Sequence, residues 1–287
     1  MHNAARGFRV GEARSKLPTW ATADFSPIWF TPIVATLRTL QQQCTDFPLP
    51  SLWNELTRAH PIQTKQGLAI QFVTQPDTAE SLGYEEKISQ TGCINTRLNN
   101  WHDLFNACVW FTFPACKQQL NAAHQTILNI QTTRLRHPVR DALTLFDECG
   151  VIFVYAESAP ESLHALQNFD WQTLFVQQKK CWGKKMQAFI FGHALYEKGL
   201  LPYLGWTGQA LCIAVAEDFF QQDLPAQIRW LDSILAERLA QQLTHTRALH
   251  PLPLLGIPAW WAIQDRAFYA NSAYFRAGRQ YSNQKNT

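Results

Sequence analysis

Two stretches of the chain place ionisable side chains where an apolar segment would otherwise have none. Asn99–Phe113 reads NNWHDLFNACVWFTF, and Lys184–Leu200 reads KKMQAFIFGHALYEKGL. In the first, a helix advancing ~100° per residue puts Asn106 ~40°, Trp110 ~80° and Asp103 ~100° from His102. Trp101, Leu104, Phe105, Cys108 and Phe111 take the remaining surface. A helix apolar nearly all round is buried, so its polar stripe must meet partners instead of water. In the second stretch, read as a helix with Met186, Phe189 and Ile190 on the same face, His193 and Glu197 sit four apart. Side chains at that spacing touch each other or share one ion.

These residue types suit acid–base or metal-assisted hydrolysis. His102 falls in the first turn of its helix, where the positive dipole end disfavours imidazolium and leaves a neutral ring for a base or a ligand. His102, Asp103, Asn106, His193 and Glu197 are therefore the catalytic candidates. His102, His193 and Glu197 are the candidate ligands of a divalent metal. Arg97, just ahead of the helix cap, offers a fork for a carboxylate or phosphate. With Trp110 and Asp141 it is expected to line the end that takes a small or anionic substrate. Asp141, Thr144 and Glu148, with Asp147 beside them, form a stripe after Pro138 that an ordinary half-buried helix also shows. Gly192 beside His193 lowers helix propensity but permits close approach of another backbone. A buried network that only fixes the fold uses the same residues, so the site requires His102 and His193 within about 12 Å, the reach of a shared ligand or water. No GxSxG elbow, phosphate loop or dinucleotide fingerprint occurs.

A non-catalytic alternative rests on other residues. Lys179, Lys180, Lys184 and Lys185 surround Cys181 and Trp182, and Arg276 and Arg279 accompany Tyr274 and Phe275. Such mixtures track phosphates and stack bases, or bind a protein partner. A net charge of only +3 argues against nucleic acid.

The elements that must position these groups follow from pattern and punctuation. With 46% hydrophobic residues, eleven Trp and eighteen Phe in 287 residues, the chain can fill a large core. Seven scattered cysteines form no CxxC pair and fit a reducing cytosol. No run reaches the ~18 apolar residues of a membrane span, and the basic start at Arg6–Lys16 has no apolar run behind it, so a cytoplasmic protein is expected. Pro27 opens a helix to about Gln43, followed by one at Ser51–His60. Leu68–Thr74 is a strand, and 75–98 reads as largely loop. Asn99 caps the helix to Phe113, and another spans 115–130. Pro138 opens a helix to Glu148, with Gly150 at its C′ position. VIFVY (Val151–Tyr155) is a strand, and helices follow at 160–168 and after Asp170. Gln209–Ala216 is a third strand, and Asp223 caps a helix to about Leu243. Pro-broken aromatic sequence from 250 to 280 reads as an extended tail over the body. Residues 1–22 form a flexible arm, 23–279 one mainly helical α+β domain with a small sheet, and 280–287 a disordered tail.

The run GYEEKISQTGCINTRLNNWHDLFNACVWFTFP (Gly83–Pro114), then RDALTLFDECGV (Arg140–Val151), FGHALYEKGL (Phe191–Leu200) and GIPAWW…FY…YFRAGR (Gly256–Arg279), resembles the proteobacterial family catalogued as domain of unknown function 3025. The first eighty residues resemble it less clearly. The resemblance implies a bacterial, cytoplasmic protein and carries no activity with it. His102, Asp103, Asn106, Asp141, His193 and Glu197 all lie inside the resembling segments.

Overall fold

The strand VIFVY lies at the centre of the molecule. In the computed structural model, which describes residues 17–76, 81–130 and 137–278, β3 (Gly150–Ala156) has a strand on each side. It pairs antiparallel with β4 (Met186–Ile190) and parallel with β5 (Thr207–Val215), and β6 (His250–Pro253) closes the sheet antiparallel to β5. The order is β4-β3-β5-β6. A strand buried on both faces must be apolar throughout, and only Tyr155 of β3 is partly exposed. Pro251 and Pro253 fall on the edge strand, where a missing N–H is tolerated. A second sheet is the parallel pair β1 (Gln71–Thr74) and β2 (Cys93–Thr96), joined through α3 (Tyr84–Thr91).

Around the sheets run α1 (Val34–Gln43), α2 (Pro50–Ala59), α4 (Trp101–Thr112), α5 (Pro114–Ile130), α6 (Pro138–Cys149), α7 (Pro160–Gln167), α8 (His193–Gly199), α9 (Leu224–Gln242) and α10 (Arg266–Tyr269). The fold is mainly helical α+β, as expected. One apolar cluster joins Trp20 to Phe275. The aromatic tail belongs to it: Trp260 packs on Trp29 and Trp206, and Tyr269 and Phe275 pack on Phe175. The helix α4 packs on α5 and α8, and α6 packs on α5 and α8, so these four helices meet around one region.

Several sequence expectations are corrected. Lys184–Leu200 is not one helix. Met186–Ile190 is a strand against β3, and only His193–Gly199 is helical. Met, Gln and Ala are good helix formers, but propensity is a small term and pairing with β3 outweighs it. Gly192 ends the strand, and its own N–H reaches the Gly150 carbonyl at 2.8 Å. The stretch 75–98 is not all loop, since α3 and β2 lie within it. Glu85 and Glu86 suit the first turn of α3, and Gly92 takes the left-handed conformation that ends it, φ 72°. Gly150 is not left-handed: at φ −67° it leads straight into β3. The α4 cap is Asn100, whose side chain accepts from Asp103 N, while Asn99 turns at φ 52°. The helix expected from Pro27 starts as a 3-10 segment, Ile28–Ile33, before α1. Trp20 is buried, and Trp101 Nε1 donates to Pro18 O, so packing begins ahead of residue 23. Residues 1–16 of the arm expected at 1–22, and the tail expected at 280–287, lie outside the described residues.

Candidate functional site

The two polar stripes meet. His102 on α4 and His193 on α8 face each other Nε2 to Nε2 at 2.9 Å, far inside the 12 Å limit. Two facing ring nitrogens cannot both carry protons, and two bare lone pairs repel. The pair therefore shares one proton or turns both lone pairs on a cation. Glu148, at the end of α6, brings Oε1 to 3.8 Å from His102 Nε2 and 3.6 Å from His193 Nε2. The three ligand atoms lie within 4.8 Å of one another. Tetrahedral coordination with bonds of ~2.0–2.2 Å separates ligand atoms by roughly 3.3 Å, and the observed separations bracket that value.

The back of each ring faces a carboxylate. His102 Nδ1 is 3.3 Å from Glu197 Oε2, and His193 Nδ1 is 3.9 Å from Asp147 Oδ2. The Glu197 contact is a hydrogen bond of the kind that fixes a ligand histidine's orientation, whereas His193 Nδ1 is buried without a hydrogen-bond partner and meets Asp147 only as a nearby charge. His193 and Glu197, four apart on α8, instead each contact His102, His193 at Nε2 and Glu197 at Nδ1. Glu197, however, stands behind a ring, and Glu148 occupies the ligand position that Glu197 was expected to fill.

Gly192 brings the parts together. A Cβ there would lie 2.5 Å from Glu148 O and Gly150 N and 2.6 Å from Cys149 N. Only glycine lets the start of α8 press against the end of α6, which sets His193 beside Glu148.

A second row of polar groups supports the first. On α5, Lys117, Asn121 and His124 lie on one face (i, i+4, i+7) and are 3%, 3% and 4% exposed. Lys117 Nζ lies 2.5 Å from Asp147 Oδ1 and 3.0 Å from Asn106 Oδ1, and it sits 5.4 Å from the Trp110 ring centre. Asn106 Nδ2 donates to Tyr84 Oη at 2.7 Å, and Asn121 Nδ2 donates to Glu85 Oε2 at 2.7 Å. Sequence reading missed this row, although the spacing of Lys, Asn and His in an otherwise helical run was the signal for it.

Ionisation follows from these contacts. Burial pushes His193 down to about 3, so its ring is neutral. The Glu197 hydrogen bond raises His102 against the opposing effect of burial. Burial raises Glu148. Burial also works to raise Asp147, but Lys117 and His193 outweigh it and hold the carboxyl low. Burial lifts Tyr84 well above the ordinary tyrosine value, so its hydroxyl keeps its proton.

A cavity of about 410 Å³ opens onto His102, His193 and Glu148. Its wall includes Tyr84, Arg97, Asp103, Asn106, His124 and Arg140. The remaining expectations divide. Arg97 lines the cavity, but its guanidinium grips Asp103 through Nε–Oδ2 at 3.0 Å and Nη2–Oδ1 at 2.7 Å. Arg97 and Asp103 thus lock the start of α4 to the preceding chain. Trp110 is buried beneath Lys117 and is not part of the wall. Asp141 also stands outside it, although its helix neighbours Arg140 and Thr144 contribute.

The lysine cluster is built differently. Lys180, Lys184 and Lys185 are exposed, whereas Trp182 stacks on Phe175 at 6.0 Å and donates Nε1–H to Leu174 O at 3.0 Å. Its ring is engaged in the core.

The family model described as "Protein of unknown function (DUF3025)" matches residues 70–279. The chain belongs to this family. The matched stretch holds every residue of the cavity wall, from Gln75 to His193. No curated protein and no solved structure matches the chain.

Proposed function

We propose that the protein is a metal-assisted hydrolase whose divalent cation is held by His102, His193 and Glu148. One observation carries this reading: three ligand atoms from three helices converge at the cavity, with a carboxylate behind each histidine. Two histidines and a glutamate leave a coordination position open, the arrangement of catalytic rather than structural zinc sites. A cation there supplies a water of pKa about 7 and polarises the bond to be cut. In the reaction, water's hydroxyl goes to the carbonyl or phosphoryl centre and its proton goes to the leaving group. Glu197 orients His102, Asp147 places a negative charge near His193, and Lys117 keeps Asp147 ionised. Among the described residues no helix is long and apolar enough to cross a membrane. The seven free thiols suit the reducing cytoplasm of a bacterial cell.

The test is elemental analysis of the purified protein after Zn²⁺ or Mn²⁺ is offered and excess removed. We expect about one ion per chain in the wild type, and a loss of affinity beyond 100-fold in His102→Ala, His193→Ala and Glu148→Ala. A screen of phosphoesters, carboxylic esters and amides should then find an activity that chelation removes and the ion restores. Equal metal content in all four proteins would sink the reading.

A further inference from the structure

Away from the two histidines, the cavity wall carries two polar groups with hydrogen-bonding capacity to spare. One is the Tyr84 hydroxyl. Lys117 Nζ donates to Asn106 Oδ1 at 3.0 Å, which fixes the way the amide points, and Asn106 Nδ2 then donates to Tyr84 Oη at 2.7 Å. A hydroxyl that accepts from Asn106 has its own proton left to give. No described protein acceptor takes it. Tyr84 is 41% exposed as a residue, yet its hydroxyl end reaches this wall. The other group is His124, which is 4% exposed. Its Nδ1 is buried without a partner, and its ring makes no hydrogen bond among the described residues. A buried polar group left unpaired is costly, and the ring that carries this one lines the cavity, where a ligand can meet its other nitrogen.

We propose that Tyr84 and His124 form an oxyanion-binding wall facing the metal centre. They donate to one oxygen of a tetrahedral oxyanion whose other oxygen is held at the cation. The proposal rests on the metal reading above and names its substrate class: a phosphoryl group, or the tetrahedral adduct of an acyl group. Tyr84, His124, His102, His193 and Glu148 all line the same cavity of about 410 Å³, which has room for a tetrahedral oxyanion. Arg140 adds a fixed positive charge to the same cavity. Donors held in place before the substrate arrives stabilise charge that develops during reaction. Lys117 and Asn106 do the holding here. They are positioning residues, and Tyr84 and His124 touch the ligand.

The experiment uses the full chain loaded with Co²⁺, whose visible bands report on coordination, titrated with inorganic phosphate. We expect phosphate to shift the bands of the wild type. Tyr84→Phe and His124→Asn should each weaken phosphate about tenfold while Co²⁺ affinity stays within about twofold. Tyr84→Phe removes a single hydroxyl from a partly exposed residue, so it tests the wall even if His124→Asn disturbs the core. Unchanged phosphate affinity in Tyr84→Phe, or a wild type whose bands ignore phosphate, overturns the wall and leaves the metal reading standing. Failure of Co²⁺ to bind the wild type overturns the metal reading, and the wall falls with it. Two chromogenic esters separate the sources of the oxyanion. A loss of kcat in Tyr84→Phe on 4-nitrophenyl phosphate identifies a phosphoryl group, and a loss on 4-nitrophenyl acetate an acyl group.

Discussion

Two cavities of almost the same size teach different lessons. The one at His102 and His193 holds about 410 Å³, and the one beside Trp182 about 420 Å³. Around Trp182 the wall is mostly apolar, with Trp29, Phe189, Ile257 and Trp260, and Lys179 as its one charged member. The indole N–H groups of Trp29 and Trp182 are already spent on Gly199 O and Leu174 O. The histidine cavity instead turns ring nitrogens, a carboxylate and a phenol towards one volume, and some of that hydrogen-bonding capacity is unspent. Volume therefore does not separate packing from function in this molecule. The chemistry of the lining does, because one wall turns several ionisable groups into the volume while the other is mostly apolar with the indole N–H groups of Trp29 and Trp182 already paired.

The largest effect that would break this contrast lies behind the histidines. Lys117→Leu leaves the Asp147 carboxylate buried without its cation and should destabilise the fold by about 3–5 kcal/mol in urea unfolding. The double variant Lys117→Leu, Asp147→Asn should recover most of that loss. A single variant within about 0.5 kcal/mol of the wild type would show that the pair carries nothing. Next comes Trp182→Ala, which should lower stability by about 2–3 kcal/mol and leave metal content alone. If it bound nucleic acid less tightly at unchanged stability, the lysine region would have to be read as a surface for recognition. Third is Glu197→Gln, which removes the charge behind His102 without removing a ligand. Metal affinity should fall ~10–100-fold with little change in melting temperature. A fall as large as in His102→Ala would make Glu197 a direct ligand.

The smallest effect concerns the frame. Asp232 on α9 accepts from Ala115 N and Cys116 N at the start of α5, and burial pushes its carboxyl from 3.8 up to about 6. A folded-state value above the unfolded one favours the protonated form in the fold. The stability Asp232 contributes is thus complete below the unfolded value and lost as pH rises through about 6. Unfolding midpoints from about pH 4 to about pH 7 should show wild type losing ground to Asp232→Asn across that window. Parallel curves would mean that the helix cap, not burial, sets the carboxyl.

How much of this was legible depends on how conspicuous each residue is in its own neighbourhood. His102 and His193 stood out because charge-bearing side chains inside apolar runs are expensive and therefore rare. Glu148 did not stand out, because on an amphipathic helix a ligand carboxylate and a solvated one look alike. The row Lys117, Asn121, His124 repeats at helical spacing but stands among Gln118, Gln119 and Gln125, which mask it, and Tyr84 lies in a stretch that reads as largely loop. The helical reading of Met186–Ile190 failed because a strand's partner, here β3, is remote in sequence, and local propensity says nothing about it.

By itself the sequence determined the apolar core, the central strand VIFVY, the cap at Asp223, and the polar stripe of α4. Each follows from interactions within a few residues, where spacing is geometry. The tertiary structure decided that His102 meets His193, that Glu148 and not Glu197 faces them, and that Arg97 is spent on Asp103. These facts depend on how α4, α6 and α8 are pressed together, with Gly192 allowing the closest approach. Packing of that kind is set by the shape of the whole core, which no single stretch of chain contains.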